Sequence, residues 1–322
     1  MTAKGRITAS LLALGVLLLA GACASGSGAS PLPSRPFPEV KVPSLLSQEE
    51  MADYVLDHFW DAYLDTTGRY LCDSTHVGGV DERMLATQLA SFLSILENYP
   101  AEKAQPVMEA FFGQLERYQA SDTASNVFPW VTEAVDYYLY DPNSEIRSEE
   151  LYLPFVSRLA ASPLTREEQR ARYAHAAEVC STHRIGTPAA DFRFVDGAGR
   201  QHTLYAEKAP LMILIFVNPG CQACGDAVAA FEGDGIKALV RDGKLKILGI
   251  YIDEEVDAWK EQAGHLPAHW INGYDPDGLI RADRIYYVRA IPSVYLLDAD
   301  KRILMKDAVP QSVAAYVENL EF

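Results

Sequence analysis

The chain has 322 residues, of which 49% are hydrophobic and 22% charged. That balance allows two ordinary domains and excludes a disordered or low-complexity protein. A formal net charge of −16 argues against nucleic acid, or an anionic membrane surface, as a partner. The acidity is uneven: residues 46–182 hold 9 Lys and Arg against 23 Asp and Glu, while residues 183–322 hold 15 against 20.

The first 23 residues have the form of an export signal. Lys4 and Arg6 give a positive start, and residues 11–20 form an apolar run too short for a stable membrane span. Ala20, Gly21 and Ala22 then lead into Cys23. This ending resembles a bacterial lipobox, although Ala20 stands where a larger aliphatic residue is commoner. The resemblance implies that Cys23 is lipidated and becomes the new N-terminus, with plain secretion as the alternative. The protein is then expected on the periplasmic side of the cell envelope, touching the membrane through its lipid alone. Residues 24–45 combine a Gly/Ser stretch with prolines 31, 33, 36, 38 and 43, and are expected to be a flexible tether.

Residues 46–182 read as a helical domain. Ser47 with Glu50 offers an N-cap, followed by Met51, Tyr54, Val55 and Phe59 at helical spacing. Further amphipathic runs cover residues 81–99, 101–118, 128–140, 149–160 and a last piece from Thr165 to Cys180. Their stripes are packing faces, and the aromatic group Trp130, Tyr137, Tyr138 and Tyr140 is read as core. His58, His76 and His175 are read as packing or capping residues.

From Ile185 the pattern changes to alternating strands and helices, which indicates an α/β fold with a hairpin at one edge. Residues 192–195 and 202–204 flank an Asp-Gly-Ala-Gly turn. Residues 211–217 form an unbroken apolar run, expected to be a strand buried on both faces, and residues 244–252 are expected to be the next buried strand. Helices are predicted over 221–231, 254–262, 279–286 and 312–320, and strands over 293–297 and 303–306. The expected architecture is therefore a central mixed sheet flanked by helices over 183–322, preceded by a smaller all-α domain.

Cys221 and Cys224, separated by two residues, lie between a buried strand and a helix. A cysteine at a helix N-terminus gains thiolate character from free backbone N–H groups and the helix dipole. A second cysteine one turn on can close a disulfide with it. Zinc is the rival reading of such a pair, but no second cysteine pair supplies the remaining ligands. His265 and His269 have Pro267 between them, which argues against a helical ligand pair. Neither metal nor cofactor is expected.

A second element, Arg289-Ala290-Ile291-Pro292-Ser293, leads into the apolar run Val294-Tyr295-Leu296-Leu297. With the cysteine pair it resembles the thioredoxin superfamily, and within it the TlpA-like extracytoplasmic reductases. The resemblance covers residues 185–322. It implies a cis Ile291–Pro292 peptide facing the cysteines, with Ile291 and Pro292 receiving an extended substrate chain. It also implies that Cys221 attacks a substrate disulfide and Cys224 resolves the mixed disulfide. The segments around His58-Phe59-Trp60-Asp61, 139–144, 149–154 and 184–192 are similar to a helical domain of unknown function that precedes thioredoxin-like domains in bacterial lipoproteins. Two positions depart from the family: Gly220 replaces the usual Trp, and Ile215 stands where many members bury an acid.

The expected activity is thiol–disulfide exchange with disulfide-bearing proteins or small thiols, served by an unidentified redox partner; the TlpA-like resemblance implies the reductive direction, and the sequence leaves oxidation open. The alternative is an envelope-associated binding lipoprotein whose thioredoxin-like domain is vestigial or structural. Cys72 and Cys180 are read as a candidate structural disulfide, with free thiols or a relay to Cys221 left open.

Overall fold

The computed structural model describes residues 31–218 and 220–320. The segment expected to be an export signal, with Cys23, lies outside the described residues.

The helical part is built from α1 (Gln48–His58), a two-rung ladder of β1 (His76–Val77) and β2 (Val80–Asp81), α2 (Glu82–Leu96), α3 (Ala101–Ser121), α4 (Val127–Tyr140), α5 (Glu149–Ala161) and α6 (Glu167–Ser181). Local chemistry sets several of the starts. Ser47 and Glu50 form a reciprocal capping box on α1, and the Asp81 carboxylate accepts the N–H groups of Arg83 and Met84 on α2. The Ser148 hydroxyl accepts the Leu151 N–H on α5. The stripes then meet in an aromatic core. Trp60 stacks on Phe111 with ring centroids 4.6 Å apart, and Phe112 meets Phe155 edge-on at 4.9 Å. Tyr137 departs from its expected core role and is 62% exposed.

The tether expectation needs correction over residues 33–37. Pro33 accepts the Leu71 N–H through its carbonyl, and the Arg35 N–H donates to the Gly79 carbonyl at 2.8 Å. The Arg35 guanidinium donates to the carbonyls of Gly78 and Tyr63 and lies 3.5 Å from the centroid of the Tyr70 ring. Phe37 packs against Phe59, Trp60 and Tyr63. Gly78 and Gly79, at φ of 53° and 82°, make the tight turn between β1 and β2 that presents these carbonyls. Proline content alone suggested a spacer. One cation and one aromatic ring among the prolines convert it into a docked arm.

The second part is a seven-stranded mixed sheet. Its elements are β3 (Arg193–Asp196), β4 (Gln201–Thr203), β5 (Leu211–Phe216), α7 (Gln222–Ala230), α8 (Asp234–Arg241), β6 (Leu245–Tyr251), α9 (Val256–Gln262), β7 (Ile271–Tyr274), α10 (Leu279–Ala282), β8 (Ser293–Asp298), β9 (Ile303–Met305) and α11 (Pro310–Glu318). The strand order is β4-β3-β7-β6-β5-β8-β9. Alternate residues of β5 serve opposite faces, as strand geometry requires. Ile213 and Ile215 pack with Ala227, Phe231, Ile236 and Val313, while Met212, Leu214 and Phe216 pack with Phe194, Tyr286 and Tyr295. β5 runs parallel to β6 and antiparallel to β8, with Phe216 opposite both Ile250 and Ser293.

Three elements differ from expectation. α8 and β7 were not predicted, and α10 ends at Ala282 rather than reaching Tyr286. Gly278 (φ 66°) enters α10 and Arg284 (φ 53°) follows it, so left-handed backbone bounds the helix on both sides. In β7, a Cβ on Gly273 would lie 2.7 Å from the Phe194 ring and 2.9 Å from the Val195 carbonyl oxygen. Gly273, with no side chain to clash, is the residue that lets this strand pair.

Candidate active site

The buried pair β5–β6 ends at one edge of the sheet, and the chain leaving β5 turns at once into α7. Cys221 occupies the N-cap position of α7 and is half-buried, whereas Cys224 is 2% exposed. Both are thiols in this structure. The backbone N–H of Asn218 donates to the Cys224 sulfur at 3.4 Å. Burial pushes the Cys224 thiol up to about 12, helped by Cys221 and the Asp253 carboxylate, with the Asn218 N–H pulling the other way.

The loop before β8 faces this pair. The Ile291–Pro292 peptide is cis, and the Ile291 carbonyl oxygen lies 4.0 Å from the Cys221 sulfur. The register of β5 against β8 explains the juxtaposition. Ser293 pairs with Phe216, so the residues just before β8 lie beside those just after β5. Cys221, Cys224, Ile291 and Pro292 therefore converge from sites about 70 residues apart in sequence.

The structure also supplies a carboxylate that sequence reasoning missed. Ile215 is buried in β5, but Asp253 follows β6 and accepts from the Asn218 side-chain amide at 3.3 Å. Arg281 holds the other Asp253 oxygen at 2.8 Å, and the Gly220 N–H donates to the Asn218 side-chain oxygen. The signal was present in the parallel β5–β6 pairing, because parallel neighbours release their next residues on the same edge.

Cys72 and Cys180 require a correction: both are free thiols. Cys72 lies 3.9 Å from the Ser125 hydroxyl, in the aromatic surroundings of Tyr63 and Tyr118. Cys180 is buried on α6 near Glu149, Lys306 and Arg289, and burial pushes its thiol well up. The two cysteines belong to separate neighbourhoods. Among the described residues no group of three His, Cys, Asp or Glu side chains could hold a metal, and His269 pairs with Glu232 instead. No helix among them is long and apolar enough to cross a membrane.

A mixed sheet with flanking helices, a cysteine pair at a helix start and a cis-proline loop opposite define a thioredoxin-like protein. The chain is 31% identical to a thioredoxin-like protein from Bacteroides caccae, with a TM-score of 0.74 over 88% of this chain and 99% of that one. It belongs to the family described as domain of unknown function DUF5106, whose model matches residues 9–182, and it shares the thioredoxin-like family of the Bacteroides caccae protein. The C-terminal domain of an uncharacterized protein from Bacteroides fragilis is 39% identical over 42% of this chain and 97% of its own, with a TM-score of 0.41. The thioredoxin domain of a thiol-disulfide oxidoreductase from Bacteroides vulgatus is 19% identical over 42% of this chain and 98% of its own, with a TM-score of 0.37. No curated protein matches the chain.

Proposed function

We propose that the protein is an extracytoplasmic thiol–disulfide oxidoreductase of the TlpA-like kind, acting as a reductase. One observation carries this reading: a half-buried thiol at a helix N-cap, 4.0 Å from the Ile291 carbonyl, with a second thiol buried one turn behind it. The Cys221 thiolate attacks one sulfur of a substrate disulfide, and the other substrate sulfur leaves as a thiolate that takes up a proton. Cys224 gives up its proton and attacks the Cys221 sulfur, releasing the second substrate sulfur. The substrate gains two electrons and two protons, and Cys221 and Cys224 become a disulfide. A dithiol donor of unidentified nature returns the electrons. Ile291 and Pro292 form the surface along which the substrate chain lies.

The test is insulin-disulfide reduction by the full mature chain beside its Cys221→Ser variant. Turnover by the wild type alone is expected; equal rates would overturn the reading in favour of a binding protein. The envelope location rests on the N-terminal signal and Cys23. A Cys23→Ser variant is expected to leave the membrane fraction for the soluble one, and unchanged retention would remove the lipid anchor from the proposal.

A further inference from the structure

Three residues before Pro292, Arg289 enters a buried charge cluster that both parts of the molecule build. Its guanidinium meets the Glu149 carboxylate of α5 at 3.0 Å and the Asp307 carboxylate at 2.7 Å. It also donates to the Tyr140 carbonyl at the end of α4, and lies 4.0 Å from the centroid of the Tyr140 ring. Lys306 meets the other Glu149 oxygen at 2.5 Å and donates to the carbonyls of Val179, Cys180 and Thr182 at the end of α6. Arg147 donates to the carbonyls of Asp307 and Ala308 at 2.9 and 3.0 Å. On the far side of the proline, the Ser293 hydroxyl donates to Asp307 at 3.0 Å. The Glu149 and Lys306 side chains are each 3% exposed, and Arg289 is 10% exposed.

Taking this many charges out of water is expensive, and well-packed apolar residues commonly stabilise a fold as well or better. Stability alone therefore gives a poor reason for the cluster. Its placement gives a better one. The loop opposite Cys221 is held at Ser293 from within the sheet part, but at Arg289 two of the three hydrogen-bond partners, Glu149 and the Tyr140 carbonyl, belong to the helical part.

We propose that the helical domain is a positioning element of the redox site, fixing through Glu149 and the Tyr140 carbonyl the Arg289–Pro292 loop on which peptide substrates lie. This rests on the disulfide-exchange reading above. A peptide disulfide must align with the loop while its sulfur reaches Cys221, whereas a small disulfide needs only the thiol. Displacing the loop thus penalises the first and spares the second.

The experiment uses the full mature chain and its Glu149→Gln and Glu149→Gln/Lys306→Met variants. The double variant removes one charge of each sign and leaves no uncompensated buried ammonium. Pre-reduced protein is mixed with a synthetic peptide disulfide, and separately with the small disulfide DTNB. The expected result is a fall of ~10-fold or more in the second-order rate constant of this single turnover for the peptide, with the DTNB rate within about twofold of wild type; an ångström-scale misplacement is enough for such a loss. An unchanged peptide rate in a folded variant would overturn the proposal. So would a parallel loss on both substrates, or failure of both variants to fold, since each marks a structural role. A wild type no faster than Cys221→Ser on either disulfide would instead sink the exchange reading itself.

Discussion

Cys224→Ser is expected to stop turnover and to accumulate the protein covalently joined to its substrate through Cys221. The half-buried Cys221 can still attack, but the buried position one turn behind it then holds a hydroxyl that cannot displace a sulfur. Steady-state insulin reduction should fall by about ten-thousandfold or more, the scale on which loss of an essential reacting group is felt. Non-reducing electrophoresis and peptide mapping would read the adduct. An adduct on any other cysteine, or turnover at the wild-type rate, would remove Cys221 from the role of attacking thiol. The wild type carries a related signature in pH. Burial raises the Cys224 thiol to about 12, so at neutral pH only a small fraction is thiolate. Below that value the thiolate fraction grows about tenfold per pH unit. The resolving step, isolated by single turnover from a preformed mixed disulfide, should therefore accelerate as pH rises from 7 to 9. A flat profile would show that deprotonation of Cys224 is not required.

Phe111→Ala is expected to destabilise the helical domain by about 3–5 kcal/mol, the range for truncating a buried aromatic ring. Phe111 is 2% exposed, stacks on Trp60 and meets Phe92 at 5.6 Å and Phe155 at 6.1 Å. Its ring thus joins α2, α3, α5 and the segment after α1, and no small shift of one helix can refill the space. Urea unfolding followed by tryptophan fluorescence measures the loss, with Trp60 beside the new cavity as a local probe. A change below about 1 kcal/mol would mean that this core repacks freely, against the close packing expected of protein interiors.

How much of the molecule could be read in advance follows from the range of the forces involved. Helices were legible because their signals are local: Ser47 with Glu50, Asp81 and Ser148 each cap backbone groups two or three residues away. The strands β5 and β8 were legible because burial on both faces demands apolar runs, and β6 because its run is broken only by Lys246, which reaches Glu207 at 2.6 Å. β7 was not, since its Asn272-Gly273 pair carries a turn signal that only contact with Phe194 and Val195 overrides. Arg35 and Phe37 were hidden among prolines for the same reason; their partners at Tyr63, Tyr70 and Gly79 lie well along the chain.

The site divides along the same line. The sequence by itself determined the two thiols at a helix start and the proline opening a strand, because three-residue spacing on a helix sets the geometry of the cysteine pair. Only the tertiary structure decided what surrounds them. It brought Asp253 to Asn218 across 35 positions, left Cys72 and Cys180 as separate thiols, and tied Arg289 to Glu149 across 140. Contacts of that range carry no periodicity or local pattern in the chain, since they exist only once sheet register and helix packing have placed distant residues side by side.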